Sequence, residues 1–174
     1  MSYSIPRGDE LYHERLHFRL MDFIVALEAL LALAFLGMFL YQVYIGPIGN
    51  DPAPEFFFLL MFLFMLGIVW LLASMRYLDI SLTPEAITVA FGRFRKSVPW
   101  HSVASMERIR GSAWVYGYGL HLGLTRGGWV LVYNVINRPA LSLDLVGGRI
   151  RRLVFSTAHP EEVLVIAERQ MSGR

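Results

Sequence analysis

The chain has 174 residues, no cysteine, 55% hydrophobic and 17% charged residues, and a formal net charge of +2. Disulfides, thiolate metal sites and cysteine nucleophiles are therefore excluded. The charge is too small to indicate nucleic-acid binding, and the apolar excess points to a membrane protein.

Residues 1–21 form a lead-in with one motif, His13-Glu14-Arg15-Leu16-His17. The spacing is H-E-x-x-H, which on a helix puts two imidazoles on one face with a carboxylate beside the first, as in zinc proteases. A catalytic zinc site also needs a third ligand and an enclosing cleft. The nearest acids, Asp22 and Glu28, lie on the same continuous helix and cannot wrap back onto such a metal. The expected structure is instead an interfacial amphipathic helix, with Tyr12, Leu16 and Leu20 as its apolar stripe and His13, Glu14 and His17 toward headgroups. A metalloprotease using His13, Glu14 and His17 is carried as an alternative; the expected metals and cofactors are none.

Residues 22–76 read as a transmembrane hairpin. Phe23 to Tyr44 and Phe56 to Met75 are two apolar runs of the length that crosses a hydrocarbon core of about 30 Å. The short link IGPIGNDPAPE joins them. Arg7, Arg15 and Arg19 precede the first run and Arg76 closes the second, while the link has no Lys or Arg. The positive-inside rule then places both termini, and all that follows, in the cytoplasm of a cell-membrane protein. Glu28 is the one ionisable residue within a span. It reads either as an intramembrane proton or partner site or as a carboxyl hydrogen-bonded near the interface. Gly37 and Gly67 near mid-span are expected to let the helices approach closely.

Residues 77–174 change to short alternating stretches bounded by turns. LDISL, ITVAF, KSVPW, VASMERI, WVLVY, ALSLDLV and RRLVF read as about seven antiparallel strands. A helix opened by Pro160, Glu161 and Glu162 follows, with Val163, Ala167 and Met171 as its apolar face. The expected fold class is α+β: a two-helix hairpin plus a small antiparallel barrel or sandwich closed by a C-terminal helix. FGRFRKS concentrates Arg93, Arg95 and Lys96, read equally as an anionic-headgroup contact or as a solvated basic turn. Trp114, Tyr116 and Tyr118 sit in an aromatic, glycine-rich stretch that fits lipid or partner contact, or ordinary packing. GGR at 147–149 reads as a hairpin turn, and no nucleophile–base set or paired-carboxylate site stands out.

The order of HERLHFRL, QVYIGPIGNDPAP, LTPEAITVAFGRFRKSVPWHSVASMERI, GYGLHLGL, VYNV and LDLVGGRIRRLVFSTAHPEEV carries a resemblance. The chain resembles the bacterial and archaeal membrane proteins that place a pleckstrin-homology-like domain behind a transmembrane hairpin. It departs from them at His121, where Arg is usual, and at His159, where an acid or Thr often precedes the helix-opening Pro. The resemblance implies a non-enzymatic binding or accessory role. The expected partners are membrane lipids and other integral membrane subunits, with no nucleic acid. An anionic-lipid sensor is the alternative.

Overall fold

The computed structural model describes residues 9–49, 52–109, 117–125 and 127–173. The chain divides into two compact units, one of residues 19–76 and one of residues 1–18 with 77–174.

The smaller unit is a pair of helices, α1 (Arg19–Tyr44) and α2 (Glu55–Ser74). Their 26 and 20 residues give lengths of about 39 Å and about 30 Å, each sufficient to cross a bilayer. α2 buries no residue, and its large side chains are exposed along its length. α1 buries only Met21, Ala32 and Gln42. The glycines do not mediate the close approach expected of them. A Cβ at Gly37 or Gly67 would meet nothing within 4 Å, whereas the small residue closed off by its neighbours is Ala32. At one end Asp22 pairs with Arg76 across 3.4 Å, where the start of α1 favours an acid and the end of α2 a base. Toward the other end the Gln42 amide donates to the Ala53 carbonyl at 2.6 Å.

The larger unit contains nine strands among the described residues. One sheet is an antiparallel meander of β1 (Tyr12–His17), β2 (Tyr77–Leu82), β3 (Ala86–Phe91) and β4 (Phe94–Pro99). The other holds β5 (Val103–Arg108), β6 (Gly119–Thr125), β7 (Gly128–Asn134), β8 (Ala140–Leu145) and β9 (Ile150–Ser156) in the order β5-β8-β9-β7-β6. Helix α3 (Pro160–Ser172) completes it, burying Val163 and Ala167 as its apolar spacing predicts.

Alternation explains the core. Leu78, Ile80 and Leu82 of β2 are fully buried, as are Ile87, Val89 and Phe91 of β3 and Leu141, Leu143, Leu153 and Phe155 of the second sheet. Phe91 stacks on Tyr133 with centroids 6.0 Å apart, so the buried faces of the two sheets meet there. The corner between sheets is set by Trp100, whose ring N–H donates to the Thr83 carbonyl at 2.8 Å and whose backbone N–H donates to Glu85 at 3.1 Å. Turn chemistry sets the hairpins. Gly92 has φ +53°, which suits the two-residue β3–β4 turn. Gly128 has φ +120° and lies so close to the Arg151 side chain that a Cβ would stand 2.6 Å from its Cγ.

Three expectations need correction. The lead-in is a strand, not an amphipathic helix: Tyr12 to His17 pairs antiparallel with Leu82 to Tyr77 along its whole length. Residues 1–18 thus belong to the sheet unit, and the hairpin is an insertion between two paired strands. The strands are not all antiparallel, because β7 and β9 run parallel. That arrangement follows from two hairpins, β6–β7 and β8–β9, set side by side, so the segment between β7 and β8 must cross the end of β9. Of the expected alternatives, barrel or sandwich, the two sheets agree with the sandwich: among the described residues no ladder joins them, and a closed barrel is not shown.

Candidate functional site

The H-E-x-x-H residues illustrate how the strand changes their chemistry. On a strand, residues four apart stand about 13 Å apart, too far to share one metal ion. Side chains alternate, so Tyr12, Glu14 and Leu16 are buried while His13, Arg15 and His17 lie on the other face. The helical geometry of a zinc protease is therefore not formed by His13, Glu14 and His17. Among the described residues no group of three potential ligands comes together.

Glu14 has a different role. Its carboxyl accepts from the Tyr12 hydroxyl at 2.8 Å, the Thr157 hydroxyl at 2.6 Å and the Ala158 backbone N–H at 2.8 Å. Thr157 and Ala158 lie between β9 and α3, so this buried cluster ties the first strand of one sheet to the end of the other. Burial pushes the Tyr12 hydroxyl far above its usual pKa; Glu14 adds to this, and the bond with Thr157 opposes it. Nearby, Ser156 donates to Asn134 at 2.6 Å and accepts from the Val135 N–H at 3.0 Å, and Asn134 donates to the Gly117 carbonyl. These bonds hold the crossing segment over β9. The outward residues of β1 make surface contacts. Arg15 forms a two-point ion pair with Asp79, which raises the guanidinium pKa, and His17 stacks on Tyr77 at 4.9 Å.

The basic cluster FGRFRKS is divided by the same alternation. Arg93 lies in the β3–β4 turn. Register places that turn beside Leu78, at the end of the sheet where His17 and Tyr77 lead to the helices. Arg95 is exposed, while Lys96 is half-buried on the side of β4 that carries buried Val98. Lys96 lines a cavity of about 350 Å³ between β4 and the β8–β9 hairpin, and Arg149 of that hairpin lines it too. Two basic clusters that are far apart in sequence thus share one opening. The sequence reading of three neighbouring cations missed this, because only the packing of the two sheets brings Arg149 across.

A second groove, of about 700 Å³, runs beside edge strand β5 and helix α3. Its two arginines are neutralised, Arg152 by Asp144 at 2.7 Å and Arg108 by Glu161 at 2.7 Å, and Glu107 and Glu168 also line it. Of the aromatic candidates, Tyr118 is half-buried, stacked on Phe18 at 4.6 Å and edge-on to Phe91 at 5.7 Å. Trp114 and Tyr116 lie outside the described residues. His121 turns back on its own chain, its Nε2 donating to the Tyr118 carbonyl at 2.8 Å. Glu28 sits half-buried on α1. No protein-family model, curated protein or solved structure matches the chain.

Proposed function

We propose that this protein is a non-catalytic integral membrane accessory subunit that holds or helps assemble a larger membrane complex. The observation that carries this reading is the insertion of an apolar helix pair between two hydrogen-bonded strands of a folded sheet unit. Entry to and exit from the helices are at adjacent positions, His17 and Tyr77, so the sheet unit is anchored by two covalent connections at one place. The hairpin keeps many of its large apolar side chains exposed, which leaves them free to pack beside lipid and partner helices. The resemblance to membrane proteins with a pleckstrin-homology-like domain agrees with a binding role. The excess of Arg on the flanks of the hairpin puts both termini and the sheet unit on the cytoplasmic side of the cell membrane. Solubilisation in mild detergent at native expression is expected to recover the chain within a larger assembly. Recovery only as a free monomer would overturn the proposal.

Anionic-lipid sensing is the second reading, favoured by the position of Arg93 at the sheet end that carries the helix connections. Each such cation near a charged membrane surface contributes about 1 kcal/mol. Native mass spectrometry of the full chain should then show retained phosphatidylglycerol that declines in Arg93→Ala. Equal retention by both proteins removes this reading.

A further inference from the structure

Four arginines of the described residues are neutralised by acids: Arg15 by Asp79, Arg76 by Asp22, Arg108 by Glu161 and Arg152 by Asp144. Lys96 and Arg149 are not among them. Neither has an ion pair or a side-chain hydrogen bond among the described residues, and both line the cavity between β4 and the β8–β9 hairpin. None of the residues lining that cavity is acidic. Two uncompensated cations at one concave surface create a positive potential that only an anion relieves. Ser102 also lines the cavity, and Val98 and Ile150 supply apolar wall.

We infer that this cavity binds a phosphate monoester group. Lys supplies a compact point charge and Arg a planar fork of donors, the combination that suits the several oxygens of phosphate. The two charges match a dianion better than the single charge of a carboxylate. The volume, about 350 Å³, lies within the range of small-ligand sites. The loop that brings Arg149 into place is held at Val146 and shaped by its two glycines. The Val146 N–H donates to the Ser102 carbonyl at 2.8 Å, and Gly147 and Gly148 adopt φ of +77° and +73°, which side chains disfavour. A soluble phosphate monoester and the headgroup of phosphatidic acid, itself a phosphate monoester, share this chemistry. The cavity lies toward the strand ends opposite those joined to the helices, so the test separates these sources.

The inference goes beyond the accessory role and does not require a partner complex. The test is equilibrium dialysis of labelled inorganic phosphate against the full chain in phosphatidylcholine nanodiscs. Saturable binding of one phosphate per chain is expected, weakened at least about tenfold in Lys96→Gln and in Arg149→Gln. Arg95→Gln, on the opposite face of β4, should bind as the parent does, and Arg149→Lys should retain part of the affinity. Thermal melts matching the parent would show that the variants are folded. Repeating the titration in an equal mixture of phosphatidylcholine and phosphatidic acid assigns the source. Lost phosphate binding means that a headgroup fills the site, and unchanged binding means a soluble ligand. No saturable binding in phosphatidylcholine, or binding indifferent to both Lys96 and Arg149, would overturn the inference. So would displacement by an oligo-glutamate peptide at lower concentration than by phosphate itself, which would reassign the cavity to an acidic protein segment.

Discussion

The helix pair and the sheet unit use the same apolar residue types in opposite senses. In α2, Phe64 is 58% exposed and Leu63 is 55% exposed; in β2 and β9, Leu78 and Phe155 are fully buried. Water would penalise the first arrangement by roughly 25 cal/mol for every Å² of apolar surface left exposed, and hydrocarbon would not. The contrast therefore concerns solvent more than composition: one unit is built with its apolar side chains outward and the other with them inward. The polar groups invert as well. Among the described residues the helix pair keeps its one ion pair at an end, whereas the sheet unit buries Glu14 and satisfies it with three donors.

Substitutions that move one unit toward the other's rule test this contrast. The largest effect is expected from emptying the inward core. Phe155→Ala should cost about 3–5 kcal/mol in chemical unfolding of the sheet unit, while Phe64→Ala, with no protein cavity to leave, should change unfolding little. If the two cost the same, the helices are packed against protein rather than lipid. Next comes Leu63→Arg, which should cost about 2.5–3.5 kcal/mol of membrane insertion, read as a shift from membrane to soluble or degraded fractions. A helix that rests in water would tolerate it.

A smaller effect is expected at the buried polar cluster. Glu14→Ala leaves the Tyr12 and Thr157 hydroxyls and the Ala158 N–H without their acceptor, a loss of about 2–3 kcal/mol in thermal or denaturant melts. His13→Ala and His17→Ala, on the other face of β1, should each cost below about 1 kcal/mol. Histidine variants that cost more than Glu14→Ala would break the assignment of the two faces.

The smallest effect is one of pH. Burial pushes the Tyr133 phenol up to about 12 and raises Tyr12 further. A phenol raised on folding keeps its proton in the native state while the unfolded chain releases it. Its stabilising contribution is therefore complete below about pH 10 and is lost as the pH rises through the folded value. Melting temperatures of the sheet unit should fall above about pH 10, and less steeply in Tyr133→Phe. A flat profile to pH 12 would mean that neither phenol is buried.

Much of the fold was legible because the signals are local. Two long apolar runs and seven alternating stretches carry their own signal, and Pro160 with two acids marks the start of α3. The two strands that escaped are instructive. β1 has Glu14 on its inward face, so the apolar alternation of Tyr12, Leu16 and Phe18 is broken where the strand is most buried. β6 does alternate, with Leu120, Leu122 and Leu124, but its glycines and aromatic neighbours masked a strand that is exposed over most of its length. The candidate site was legible only in part. Lys96 and its neighbours formed a visible cluster, but the sequence carries no sign of which cation faces inward or what stands opposite.

Sequence alone determined what depends on near neighbours: the helix pair, most of the strands, the turns and the C-terminal helix. Tertiary structure decided what depends on chain closure over long separations. β1 pairs His17 with Tyr77, 60 positions later in sequence, only because the hairpin returns the chain to its starting point.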